Sequence, residues 1–347
     1  MEDMELPRFT LPLVRTRHEL LDQGRDDAQI RAALKAGTLV RVRRGCYVDA
    51  RPEGSMARGS SAAAPVRAVP AVPAVSAAAA TAAVAAQLGP VVFSHATAAA
   101  LWQLPFLGAP PEAIHLTLPR EAGGIVRAGV HRHTGALAPE EVVEHRGIRL
   151  TSLARTLVDV ARTDGFRDGL VMADHALHGS RDPEALRQAM SASIRRLRGA
   201  VGIGNARRMA DFAVVAAESP GESLSRIVFR EQKVPEPLLQ FRLSVPLPGG
   251  ARGDFITDFA WKHLKAVGEF DGRVKYGRYL REGQTPGDAV FEEKGREDAI
   301  RSVGWLVLRW TWEQLQSPEV LGRRVRETLA ARARELGVRP SELTPGS

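Results

Sequence analysis

The stretch AVGEFDGRVKYG, residues 266–277, carries Glu269 and Asp271 two apart in an otherwise apolar run. On a strand, side chains at that spacing share one face. Asp258 lies just upstream in FITDFAW. If the two segments pair through a short turn, Asp258 falls roughly opposite Glu269, and three carboxylates converge on one sheet face. Two like charges about 4 Å apart repel by roughly 4 kcal/mol at an effective dielectric near 20. Either that face is open to water or something cationic sits on it. Hard oxygen donors of this kind suit Mg²⁺ or Mn²⁺, and Glu222, on the preceding helix, can lean in as a fourth. The expected metal ligands are therefore Asp258, Glu269 and Glu222. The competing arrangement pairs the acids with Lys262, Lys265, Arg273 and Lys275 as edge salt bridges.

The elements that must position these groups occupy residues 216–320. SPGESLSRIVFREQKV reads as a helix opening at Ser219-Pro220. LQFRLSVPLPG is a strand, and FITDFAW and LKAVGEFDG are strands joined by a tight turn near Lys262-His263. AVFEEKGREDAIRSVG is a helix, WLVLRWTW a final apolar strand, and 321–347 a charged helix and tail. This order and spacing, with DFAW, GEFDG and EEKGREDAIRSVGWLVLRW, resembles the Vsr-like branch of the PD-(D/E)xK endonucleases. The resemblance implies a restriction-endonuclease-like mixed sheet flanked by helices and Mg²⁺-dependent (or Mn²⁺-dependent) hydrolysis of DNA. It gives Asp258 and Glu269 the metal-binding roles. Asp271 stands where the usual motif has lysine. That leaves Lys275 and Lys294 as candidates for the charge-stabilising or proton-handling group, with Lys275 set beside Asp258, Glu269 and Asp271 in the catalytic set.

The N-terminal residues 1–51 have a different character. TRHELLDQG and DDAQIRAALKAG read as two short helices, each ended by glycine. TLVRVRRGCYVD alternates around Arg43-Arg44-Gly45 as a β-hairpin with a basic tip. Helix, helix and basic hairpin is the order of a winged helix-turn-helix. In that reading Arg31 and Lys35 lie on the groove-reading helix, and Arg41, Arg43 and Arg44 lie on the wing against phosphate. Residues 52–75 form a Pro/Ala-rich linker.

Residues 76–215 read as a middle α/β domain. It comprises an alanine-rich helix over 77–89, a helix from Ser94 to Trp102, strands in AIHLTLP and VRAGVHRHTG, and helices in LTSLARTLVDVARTDG, GFRDGLVMADHALHG and DPEALRQAMSASIRRLR. SHATAAALWQLP and GIRLTSLARTLVDVAR, with the N-terminal unit, are similar to the AbiEi family of type IV toxin–antitoxin antitoxins. That resemblance implies a DNA-binding repressor and a cognate toxin partner. His131 and His133 share a strand face, but no cysteine or third histidine follows at ligand spacing, so no zinc site is expected there. The run Arg195, Arg196, Arg198, Arg207 and Arg208 reads as a solvated helix face.

The chain has 347 residues, a formal net charge of +8 and one cysteine. The charge fits a polyanionic partner, and one cysteine excludes an internal disulfide. No stretch is both apolar and long enough to span a bilayer, and the acidic N-terminus does not read as a signal peptide. The expectation is an α/β (α+β) cytoplasmic protein without a membrane partner. It is read as a DNA-binding, metal-dependent endonuclease or, alternatively, as a catalytically inactive DNA-binding regulator or antitoxin.

Overall fold

The computed structural model describes residues 14–49, 91–109, 113–118, 126–127, 129–145, 148–246, 252–272 and 286–339. The linker over 52–75, the helix over 77–89, Arg273, Lys275 and the side chain of Arg43 lie outside the described residues. The protein is mixed α/β and divides into two compact units, Met1–Ala213 and Val214–Ser347. Among the described residues no helix is long and apolar enough to cross a membrane.

The first unit begins with β1 (Val14–Thr16), α1 (Arg17–Asp22), α2 (Asp27–Lys35), β2 (Leu39–Arg43) and β3 (Cys46–Asp49). Both helices start where a side chain satisfies an otherwise orphaned backbone N–H. Thr16 and Glu19 form one reciprocal cap, and Asp26 and Gln29 the other. The β2–β3 hairpin turns at Gly45, whose φ of +78° suits a residue without a Cβ. The three strands pair antiparallel in the order β1-β3-β2. Leu20, Ile30, Leu39 and Tyr47 fill the space under the helices. The order helix, helix, hairpin is the one read from the sequence.

The rest of the unit is built on a six-stranded sheet. Its strands are β4 (Val92–Phe93), β5 (Ile114–Leu118), β6 (Val126–Arg127), β7 (Val130–Thr134), β8 (Val142–His145) and β9 (Ile148–Thr151), in the order β6-β7-β5-β4-β9-β8. A short helix, α3 (His95–Leu101), follows β4. The helices α4 (Leu153–Thr163), α5 (Phe166–Gly179), α6 (Pro183–Arg196) and α7 (Ile203–Phe212) complete it. Ser152 caps α4 by accepting from Arg155 N–H, and Asp182 caps α6 with Pro183 in its first turn. The first nine residues of α4 are all buried because α3, α5, α6 and α7 pack around it.

The second unit runs α8 (Pro220–Glu231), β10 (Leu238–Pro246), β11 (Arg252–Trp261), β12 (Ala266–Asp271), α9 (Pro286–Ser302), β13 (Leu306–Thr311), α10 (Trp312–Leu315) and α11 (Pro318–Leu336). The sheet order is β10-β11-β12-β13. The first three strands pair antiparallel and β12 pairs parallel with β13, so α9 lies in the crossover that a parallel pair requires. The β11–β12 turn is a single 3₁₀ turn at Lys262–Leu264, closed by Lys265 at φ +43°.

Strand alternation sends side chains into two cores. On one face Phe229 of α8 makes edge contacts with Phe259 and Trp310. On the other, Leu243, Val245, Ala260, Val267 and Val307 meet Ala299 and Ile300 of α9. The final charged helix also packs against α8. Gly268 lies in the aromatic core. A Cβ there would come within 2.6 Å of the Trp310 ring and 3.2 Å of the Trp261 ring. Trp310 is fully buried and donates its indole N–H to Ser225 Oγ at 2.7 Å, so its ring cannot retreat freely. Gly268→Ala should therefore cost roughly 1–3 kcal/mol through overpacking, read as a lower urea midpoint for the full chain. A midpoint equal to wild type would contradict this packing.

Candidate acidic site

Sheet register assembles the site. Leu239 pairs with Phe259 and Phe241 with Thr257, which places Gln240 beside Asp258. Phe259 pairs with Gly268, which places Asp258 beside Glu269 as expected. Glu269 in turn pairs with Arg309 on β13. One polar row, Gln240–Asp258–Glu269–Arg309, thus crosses a sheet that is otherwise mostly apolar. Glu222, at the third position of α8, reaches this row through Gln240, whose amide N–H donates to Glu222 Oε2 at 3.0 Å.

Glu222 is held where it is by the start of its own helix. Ser219 Oγ donates to Glu222 Oε1 at 2.6 Å, and Glu218 N–H donates to Oε2 at 3.1 Å. These donors are neutral, and the residue is buried. Burial, and secondly the Asp258 carboxylate, push the Glu222 carboxyl up to about 7. Asp258 Oδ2 accepts from Phe270 N–H at 2.8 Å. Asp258 is therefore the pivot: its charge acts on Glu222 on one side and on Glu269 on the other.

Glu269 departs from expectation. The face was expected either to open to water or to carry something cationic, and only 9 % of Glu269 is exposed. In the competing arrangement Lys262 and Lys265, with Arg273 and Lys275, paired the acids, but Lys262 and Lys265 sit exposed in the turn beyond the strand end. Glu269 instead pairs with Arg296 of α9 at 2.7 Å and with Arg309 at 3.0 Å. Burial still raises its carboxyl above the ordinary value. The two arginines oppose that rise and Asp258 adds to it. Arg309 also binds Glu293 at 2.6 Å and Glu297 at 3.2 Å, so α9 presents Glu293, Arg296 and Glu297 at helical spacing as one ionic face. Asp271 is half-buried at the end of β12, and Lys294 is exposed on α9. The carboxylates are thus not without fixed partners: each lies in a defined network.

The donor chemistry of Glu222, Asp258 and Glu269 fits a hard divalent cation. Their oxygens do not all fall within 4.8 Å of one another. Among the described residues the group of three potential ligands that does is His115, His131 and His133. The expectation that no third histidine joins His131 and His133 is therefore corrected. The third comes from the neighbouring parallel strand, where His115 pairs with His131 in register. Sequence spacing carries no trace of that register.

In the N-terminal unit Arg31 and Lys35 are exposed on α2, and Arg41 and Arg44 are exposed on the hairpin. Arg15 pairs with Asp49 at 2.6 Å and Arg17 with Asp27, which leaves those two to hold the small domain together.

No family model matches the chain. It is similar to the uncharacterized protein MT2308 of Mycobacterium tuberculosis (strain CDC 1551 / Oshkosh), with 28% identity over 224 residues. That match covers 63% of this chain and 74% of the relative. The uncharacterized protein Rv2248 of M. tuberculosis (strain ATCC 25618 / H37Rv) matches to the same extent.

Proposed function

We propose that this chain binds DNA through its N-terminal unit and hydrolyses DNA phosphodiester bonds at the Glu222–Asp258–Glu269 site. One observation carries the reading: Asp258 stands between two buried carboxyls, Glu222 on a helix and Glu269 on the adjacent strand, and burial first and the Asp258 charge second push Glu222 up to about 7. Crowded carboxylates of that kind gain most from a divalent cation. The resemblance to the Vsr-like endonucleases assigns Mg²⁺ or Mn²⁺ to Asp258 and Glu269, and Glu222 adjoins them through Gln240. When bound, the cation supplies an activated water and stabilises charge on the phosphate. Asp258 and Glu269 hold it. Glu222, whose carboxyl is pushed up to about 7 and is therefore half-ionised at pH 7, would hold the cation in its ionised form. Arg296 and Arg309 hold the Glu269 carboxylate in place at the edge of the site. Lys275 or Lys294 supplies the positive charge that Asp271 cannot.

A second reading is a DNA-binding regulator of antitoxin type whose nuclease-like unit does not cut and which acts with a cognate toxin. The ion pairs of Glu269 favour it, because two arginines already neutralise that carboxylate without a metal. A cleavage assay on the purified full chain separates the two. With Mn²⁺ the protein should nick or cut plasmid DNA. Asp258→Asn should bring cleavage down to the metal-free background, since it keeps the shape and removes the central charge. Equal cutting by both proteins would assign the activity to a contaminant. No cutting by either would favour the regulator.

Both readings share the DNA-binding step. Each phosphate contact made by a cationic side chain contributes about −0.9 to the slope of log affinity against log salt. The double variant Arg41→Ala, Arg44→Ala should therefore weaken binding to all sequences and flatten that slope by about 1.8. An unchanged slope would remove the wing from the DNA interface.

A further inference from the structure

The first unit contains a second constellation that the proposed function does not use. His115 on β5 and His131 and His133 on β7 project from one face of the six-stranded sheet, because parallel register sets His115 beside His131 and Thr117 beside His133. One ring nitrogen from each of the three lies within 4.8 Å of the others. His115 Nδ1 and His133 Nε2 are 3.0 Å apart, so one ring donates to the other. The rings of His131 and His133 stack with centroids 4.2 Å apart.

A fourth ring fixes the position of the third. His95, the first residue of α3, stacks on His133 with centroids 3.5 Å apart and planes 11° from parallel. Its backbone sits at φ +51°, a left-handed conformation that a histidine adopts only at some cost. Its Nδ1 is tied to Ser94 Oγ at 2.9 Å, and Ser94 Oγ also accepts from Thr117 at 2.8 Å. Its Nε2 lies 4.0 Å from Asp159 Oδ1. The scaffold behind the cluster is charged but balanced. Arg155 binds Asp159 at 2.9 Å and Glu141 at 2.8 Å, and Arg162 binds Asp159 at 3.0 Å. These acids are already committed to arginines, so the imidazoles are the donors left to face a cation. His115 and His95 are buried, whereas His131 and His133 are half-exposed, so the cluster opens toward solvent on one side.

We infer that His115, His131 and His133 form a binding site for one transition-metal ion of the zinc class, with water completing its coordination on the exposed side. Three observations support this. Three imidazoles are the ligand set that Zn²⁺, Co²⁺ and Ni²⁺ share, and a hard cation such as Mg²⁺ would not choose it. Tetrahedral coordination at about 2.0–2.1 Å needs nitrogens about 3.4 Å apart, which side-chain rotation of rings already within 4.8 Å can supply. Finally, the surroundings hold these rings in place: His95 stacks on His133, and the backbone N–H of His115 donates to Thr97 Oγ1 at 2.8 Å, fixing the strand that carries the buried ligand. The site is separate from the acidic one in residues, in donor chemistry and in the metal it selects.

The test uses the tag-free full-length chain, stripped with EDTA and desalted, and titrated with Co²⁺. Isothermal titration should show one saturable site at micromolar Co²⁺, with visible d–d bands of low coordination number, and Zn²⁺ should displace the Co²⁺. His115→Ala and His133→Ala should each abolish that site while keeping the far-UV circular dichroism of wild type. Should either fail to fold, His131→Gln at the half-exposed position provides the same readout. Asp258→Asn should keep the d–d bands of Co²⁺ at the histidines, which separates this site from the acidic one. No saturable uptake by the wild-type chain, or uptake that persists in the histidine variants, would overturn the assignment.

Discussion

The pairing of Glu269 with Arg296 and Arg309 is the constraint on which the second unit depends. A carboxylate in the middle of a core strand costs several kcal/mol unless its charge is met. It is met from two directions at once: β13 brings Arg309 alongside in parallel register, and α9 brings Arg296 down from the crossover. Those contacts fix where α9 lies against the sheet. They also hold the carboxylate in one orientation, with Asp258 as its neighbour on the other side. Removing either arginine would leave a buried charge with half its compensation.

Burial and the neighbouring Asp258 carboxylate set the cost of Glu222. Its folded pKa lies near 7, above the ordinary value that the unfolded chain has. Between those two values the folded chain keeps a proton that the unfolded chain has lost. Stability therefore falls as pH rises through that window, by about 3 kcal/mol once both states are ionised. Carboxyls with raised pKa values cluster at functional sites, and this one lies at the mouth of a helix beside Asp258. A bound cation would reverse the cost by favouring the ionised form.

Much of this was legible in residues that act locally. Ser152, Asp182-Pro183 and Ser219-Pro220 mark helix starts because a cap is chosen within one turn of the residues it serves. The Asp258–Glu269 pairing was legible for the same reason, since a tight turn fixes hairpin register. The partners of Glu269 were not. Arg296 and Arg309 arrive through a parallel crossover, whose register no local spacing encodes. The histidine cluster failed to show itself on the same ground: His131 and His133 are visible as a pair, but His115 joins them only through the β5–β7 register, and His95 through the turn into α3. Open lysines near a carboxylate in sequence were a poor guide, because the turn carries Lys262 and Lys265 away from the strand they flank.

Burial and the adjacent Asp258 charge together raise the Glu222 carboxyl. Carbon-13 NMR of the Glu222 side-chain carboxyl, followed across pH in the full chain, measures this directly. The midpoint should lie near 7 in wild type and fall toward the ordinary carboxylate range in Asp258→Asn, with burial alone holding it partly raised. A Glu222 midpoint in the ordinary range in wild type, or one that Asp258→Asn does not move, would contradict it.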